Sequence, residues 1–144
     1  MKKFSGGKTL AVVAVAGGAV LASIAPVMAE VSAQSPSLGA VRVESPAKVK
    51  AVGAAVEVDV TYSCPVGQTQ SYVYLTVTQS KIIGVASGSG SKVVTCTGGF
   101  ETVKVTATAQ PGWPFSAGIA YAKADLNSYP HSASDEKQIR INPW

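Results

Sequence analysis

Apolar and polar residues alternate along most of the chain after residue 38, and a period of two predicts β-strands. The cleanest run is AVEVDVTYSC at 55–64, in which Val56, Val58, Val60, Tyr62 and Cys64 share one side. Similar runs occupy residues 40–45, 72–79, 81–86, 92–97, 100–109 and 136–142. Because successive side chains of a strand point to opposite sides of a sheet, each run predicts one buried and one exposed face.

The segment SAGIAYAKADL at 116–126 is ambiguous, because its alanines favour a helix by intrinsic propensity. These alanines nevertheless alternate with Tyr121, Lys123 and Asp125, and we assign the segment to a strand. Turn-forming stretches separate the runs: SPAK, CPVG, SGSG, TGGF, PGWP and SYPH. The stretch SGSGS (87–91) is predicted to be a mobile hairpin tip between two short strands. Seven or eight short strands without a helical pattern predict an all-β, antiparallel two-sheet sandwich.

Both cysteines of the chain continue the apolar side of a predicted strand. Cys64 follows Tyr62 in its alternation, and Cys96 shares a face with Val94, so both thiols are expected to point into the core. We therefore predict a Cys64–Cys96 disulfide, since paired cysteines usually couple in an exported protein. A redox or zinc role is the alternative, but a redox pair is usually spaced Cys-x-x-Cys and a structural zinc needs four ligands.

A strand ending in Tyr-x-Cys-Pro, a Thr-rich strand after it, and then VTCTGG and TVKVTATA give the chain a recognisable pattern over residues 40–142. It resembles small secreted immunoglobulin-like proteins of high-GC Gram-positive bacteria, most of which are domains of unknown function. The resemblance implies an immunoglobulin-like antiparallel β-sandwich of seven or eight strands with one disulfide, and it brings no functional residues. Unlike antibody domains, this chain has no Trp on the strand after its first cysteine, and its second cysteine comes early.

The N-terminus has the form of a secretory signal peptide, predicted to span residues 1–29. Lys2, Lys3 and Lys8 precede an uncharged apolar stretch that ends in the small-x-small pattern of residues 27–29. A retained membrane anchor is the alternative. Residues 30–38 are then a flexible leader and residues 39–144 the folded domain, with a secreted, extracellular protein as the product and the membrane involved only through the signal.

Charge gives little sign of a particular partner. Three of the 12 basic residues are the signal lysines, which leaves nine basic residues against eight acidic ones. The nine are scattered singly, whereas a nucleic-acid surface needs basic residues clustered with aromatic ones, so we expect no nucleic-acid partner.

The sequence shows no constellation typical of catalysis, and we expect no enzyme activity, no cofactor and no metal. His131, the one histidine, lies in the polar stretch SYPHSASD, predicted to be a solvated loop, although Ser128, Ser132, Ser134 and Asp135 are near it. Glu57 and Asp59 share a strand face, but a glycosidase pair needs a fixed separation in a cleft, and we interpret these two as solvated surface acids.

Two features suit binding. Tyr72, Tyr74, Thr76 and Thr78 form the polar side of one predicted strand, and an immunoglobulin-like order would place Tyr121 and Ile119 beside them. Tyr is enriched where proteins meet partners, although it also decorates ordinary sheets. In QPGWPF, Trp113 and Phe115 are expected to cap one end of the core, with ligand contact as the alternative.

Together these observations predict an exported, non-catalytic binding or structural domain that recognises an extracellular protein, glycan or wall component through the tyrosine-bearing surface. The alternative hypothesis is a small-ligand carrier with a hollow lined by Trp113, Phe115 and tyrosines, or an inhibitor of an extracellular enzyme. An inhibitor would need a rigid protruding loop, for which SGSGS is poorly suited because glycine lacks a stiff backbone.

Overall fold

The structure, a computed structural model, describes residues 39–144, which belong to one compact unit of the chain. The predicted signal peptide (1–29) and leader (30–38) lie outside the described residues. Eight strands and a short 3-10 turn at Ala51–Gly53 make up the regular structure. The strands are β1 (Ala40–Val43), β2 (Ala47–Lys50), β3 (Ala55–Ser63), β4 (Ser71–Lys81), β5 (Gly84–Val94), β6 (Phe100–Ala109), β7 (Gly118–Ser128) and β8 (His131–Asn142).

The predicted alternation is confirmed for the longer runs, whereas two short runs were placed wrongly: Ile82 and Ile83 of 81–86 form a turn, and 92–97 leaves its strand after Val94. The apolar sides of β3 and β4 are fully buried, and the opposite side of each is exposed or half-buried. The ambiguous segment is strand β7, whose inward Ala120, Ala122, Ala124 and Leu126 are buried. The alanines are therefore small inward-facing side chains of a strand, and they do not indicate a helix.

The prediction of two separate sheets is wrong, because the sheet closes into a barrel. Seven strands form the ring, in the order β3-β2-β8-β7-β4-β5-β6, and β6 pairs back onto β3 over nine residues. β1 lies outside the ring and pairs with the end of β3 that β2 leaves free. Two short seams complete the closure: β5 meets β6 through two residue pairs, and β2 meets β8 in parallel through two more. The all-β class and the disulfide are as predicted.

The glycine-rich SGSGS stretch (87–91) is not the hairpin tip that we expected. β5 runs unbroken through it, and the turn from β4 to β5 consists of Ile82 and Ile83. The reason is the close approach of β5 to β6. A Cβ placed on Gly90 would collide with the carbonyl oxygen of Thr106, so only a glycine permits this crossing. The glycines of this stretch therefore allow β5 to pair with β6.

Two further expectations need correction. The predicted break NSYPHSAS is almost entirely strand, since Tyr129 and Pro130 alone separate β7 from β8. His131 is therefore the first residue of β8, opposite Ser128, and not part of a loop. The stretch SPAK, predicted to be a turn, contains the start of β2, because its Ala47 pairs with Ile141 of β8.

The predicted disulfide is confirmed. Cys64 and Cys96 are buried, with their sulfur atoms 2.03 Å apart and their Cα atoms 5.0 Å apart. Cys64 directly follows β3, and Cys96 lies in the connection from β5 to β6. The bond therefore joins two connections at one end of the barrel, which we call the disulfide end.

Candidate functional site

The outward side of four adjacent strands forms a continuous surface that carries three tyrosines. β4 pairs with β7 as expected, so Thr78 lies opposite Tyr121, Tyr74 opposite Asp125 and Tyr72 opposite Asn127. Tyr72, Tyr74 and Tyr121 expose 44%, 41% and 48% of their surface, and Thr76 is half-buried. The prediction that these side chains share one outward face is confirmed. We call the outward side of β5, β4, β7 and β8 the tyrosine face.

The flanking strands extend the tyrosine face with small polar residues. β5 contributes serines, among which Ser89 lies opposite Thr76, and β8 contributes Gln138 opposite Tyr121. Ile119 points the same way as Tyr121, as the alternation predicted, and is exposed. The tyrosine face thus combines three aromatic rings with hydroxyl and amide groups, and with the exposed aliphatic side chains of Val85, Val93 and Ile119.

Three open depressions lie along the tyrosine face. The first, about 600 Å³, is lined by Gln68, Thr69, Gln70, Tyr72, Asn127, Tyr129, Pro130, His131 and Ser132. The second, about 530 Å³, is lined by Tyr72, Tyr74, Asp125, Leu126, Asn127, Ser132, Ala133 and Ser134. Because these two share Tyr72, Asn127 and Ser132, they form one trough from β4 across to β8. The third, about 450 Å³, surrounds Tyr121 and Ile119.

Charges on the tyrosine face compensate one another. Lys123 lies 3.7 Å from Asp125 and opposite Glu136 of β8. Arg140, which lies opposite Ile119, is the second basic residue. The face therefore carries two basic side chains, Lys123 and Arg140, and two acidic ones, Asp125 and Glu136. Partial desolvation and the neighbouring Glu136 and Asp135 carboxylates raise the pKa of Tyr121. The charged side chains of the face therefore sum to no net charge, and a ligand needs no net charge to complement them.

The two aromatic residues of QPGWPF occupy different environments. Phe115 is buried in the core and donates its backbone N–H to the Gly53 carbonyl oxygen at 2.9 Å, so it closes the end of the barrel opposite the disulfide. Trp113 remains 40% exposed, and its indole lies against Gly84, where there is no room for a side chain. Neither residue lines a depression on the tyrosine face.

Two of the residues near His131 in the sequence, Ser128 and Asp135, are held by other strands. Ser128 is fully buried and its hydroxyl lies 3.0 Å from that of Ser71, while Asp135 Oδ2 accepts the Val43 backbone N–H at 2.8 Å. Both groups thus have structural partners in other strands. His131 instead lines the trough.

The acidic pair on β3 is neutralised by lysines on an open surface. Lys104 Nζ lies 2.9 Å from Asp59 Oδ1 and 3.9 Å from Glu57 Oε1, and Lys50 approaches Glu57 at 3.6 Å. The hydrogen bond with Asp59 and the nearby charges raise the pKa of Lys104. Within residues 39–144 there is also no group of three or more His, Cys, Asp or Glu side chains placed to hold a metal ion.

Sequence reasoning missed three buried polar residues that support these features. Ser71 Oγ lies 3.0 Å from Cys96 Sγ, and since a disulfide sulfur has no proton, the hydroxyl is the donor. Gln79 exchanges two hydrogen bonds with Ser116, at 2.8 and 2.9 Å, and so fixes the segment that carries Trp113. Ser71, Gln79 and Ser128 all fall on the inward phase of their strands, which is the signal that could have revealed them.

No protein-family model matches the chain, and no curated protein is significantly similar to it in sequence. Among the residues that the structure describes, no helix has the length and apolar character needed to cross a membrane. The class of protein therefore has to be argued from the tyrosine face itself.

Proposed function

We propose that the protein is an exported, non-catalytic recognition domain that binds an extracellular glycan or wall component through the tyrosine face. The observation that carries the proposal is the trough beside Tyr72 and Tyr74, which combines aromatic rings with side-chain amides, hydroxyls and compensated charges. A sugar presents an apolar C–H face for stacking and many hydroxyls for hydrogen bonding. Tyrosine offers both kinds of contact with few rotatable bonds.

Export and an immunoglobulin-like relationship are part of this proposal. The disulfide is consistent with an oxidising compartment outside the cytoplasm. The pairings β1–β3–β6 and β4–β7–β8 correspond to the A–B–E and C–F–G groups of immunoglobulin-like domains. The two groups meet through two short seams, β5–β6 and β2–β8, each of two residue pairs. A sandwich that gained these two contacts would close into this barrel.

The geometry favours recognition over carriage of a small ligand. A carrier needs a hollow that encloses most of its ligand. The depressions described here are open, and Trp113 and Phe115, the residues expected to line such a hollow, line none of them.

Affinity electrophoresis of the exported protein through gels that contain defined polysaccharides tests the proposal, with pelleting on purified wall material for insoluble partners. We expect Tyr72→Ser/Tyr74→Ser to weaken binding at least tenfold, because central aromatic contacts are typical hot spots worth about 2 kcal/mol or more. Phe100→Ser, an exposed aromatic on β6 outside the tyrosine face, is the matched control and should bind like the wild type. Equal binding by the double variant would exclude this face.

A further inference from the structure

Large apolar side chains are exposed together at the end of the barrel opposite the disulfide. Ile82 is fully exposed, and Ile83 next to it is exposed as well, at the turn between β4 and β5. Val52, in the connection from β2 to β3, exposes 80% of its surface. With Trp113 they form a group that we call the apolar tip.

Hydrogen bonds and packing hold the apolar tip together. The segment between β6 and β7 bridges the other two turns: Phe115 bonds to Gly53 beside Val52, and the Trp113 indole covers Gly84 beside Ile83. The buried Gln79 amide fixes the same segment from below. The tip is therefore a built surface and not a set of loose loops.

Val52 adopts a conformation that its side chain disfavours. Its φ is 54°, in the left-handed region, where a β-branched residue is a genuine outlier. Such strain is kept only when the surroundings enforce it, and it concentrates at functional positions. Here the strained turn directs a valine side chain into solvent, so nothing within the described chain offsets the cost by burying it.

Basic residues surround the apolar tip. We count the four residues of each strand that lie nearest this end. Among them one side chain is acidic, Glu57, and four are basic: Lys48, Lys50, Lys81 and Arg140. Lys81 and Lys50, the latter 3.6 Å from Glu57, directly precede the two apolar turns. The turns themselves, residues 51–54, 82–83 and 110–117, carry no charged side chain.

We propose that the apolar tip inserts into the headgroup region of an anionic lipid bilayer. Convex apolar turns fit a fluid surface, a tryptophan suits the boundary between headgroups and acyl chains, and basic residues near that boundary are attracted to anionic lipids. A second copy of the chain fits less well, because a two-fold contact places like patches together and would bring the basic residues around the two tips near one another.

Flotation of the exported protein with vesicles tests the inference, using phosphatidylcholine alone and phosphatidylcholine mixed with phosphatidylglycerol. Binding should require the anionic lipid and fall with added salt. Ile82→Ser/Ile83→Ser should reduce the bound fraction at least tenfold at limiting lipid. Val66→Ser/Val93→Ser, which alters exposed valines towards the disulfide end, should not change it. All variants are compared in the same exported form, so a difference in the bound fraction comes from the substituted side chains.

Tryptophan emission localises the contact. The chain has two tryptophans, and Trp144→Phe leaves Trp113 as the reporter. We expect its emission to shift to shorter wavelength on anionic vesicles and to be quenched by brominated lipid. Tyr72→Ser/Tyr74→Ser should leave both signals intact, which separates this inference from the proposed function. Unchanged Trp113 emission, or self-association abolished by Ile82→Ser/Ile83→Ser without vesicle binding, would overturn the membrane assignment.

Discussion

Tyr62 links the barrel wall to the connection that carries Cys96. Its hydroxyl donates to Glu101 Oε2 at 2.8 Å and lies 3.1 Å from the Thr95 carbonyl oxygen. Burial, followed by the hydrogen bond and charge of Glu101, raises the pKa of Tyr62 from 10.0 to about 12. The alternation in the sequence predicted that Tyr62 faces inward. It did not identify Glu101 as its partner, because the two residues meet only through the pairing of β3 with β6.

We predict that Tyr62→Phe lowers the free energy of unfolding by about 1–3 kcal/mol at pH 8, since the lost hydrogen bond has a charged acceptor. Folding favours the neutral phenol, so this stabilisation is complete below pH 10 and is lost as the pH rises through about 12. Urea unfolding of both proteins across this range measures the difference. Tyr129→Phe, at an exposed turn, is the control and should match the wild type throughout.

At the scale of elements, the pairing of β5 with β6 is one of the two short contacts that close the sheet into a barrel. β5 pairs with β4 along its whole length and reaches β6 where Gly88 and Gly90 leave room for the neighbouring backbone. Alternation could not predict this strand, because a pattern of apolar and polar side chains contains no information at a glycine. β2 was missed for a different reason: its four residues alternate, with Ala47 and Val49 buried, but the run is short and overlaps SPAK, which is typical of a turn.

Gly90→Ala is expected to destabilise the protein by about 1–3 kcal/mol, because the added methyl group would force β5 away from Thr106. Denaturant unfolding measures the loss, and hydrogen exchange should show weaker protection along the contact between β5 and β6 than in β7 and β8. Gly99→Ala is the matched control, since its Cβ would have no neighbour closer than 3.9 Å. A Gly90→Ala protein as stable as the control would show that the seam is loose.

The tyrosine face shows what the sequence could specify about a site. Period-two alternation was sufficient to place Tyr72, Tyr74 and Tyr121 outward, because side-chain direction in a strand is a local property. The trough between them was not predictable, because Asn127 and Ser132 approach Tyr72 only through the registers of β4 with β7 and β7 with β8. The register of two strands depends on pairing between distant parts of the chain. The turn-forming residues in the sequence indicate it only loosely.

At the scale of the whole molecule, the two ends of the barrel are built differently. The disulfide end is cross-linked and contains buried hydroxyls beside the sulfur atoms. The opposite end is closed by Phe115 and presents the apolar tip. The tyrosine face connects the two ends, so a bilayer contact at the tip would leave that face free along the side of the barrel. Both proposed contacts are therefore compatible in one molecule.

The disulfide should supply a large share of the total stability. It closes a segment of 32 residues, for which the loss of entropy in the unfolded chain corresponds to roughly 3–4 kcal/mol. Because a domain of this size is typically stable by only about 5–15 kcal/mol, we expect reductant to lower the urea midpoint of the wild type strongly. Cys64→Ala/Cys96→Ala should start near that lower midpoint and show no response to reductant. An equal midpoint for reduced and oxidised wild type would contradict this prediction and show that the bond adds little net stability.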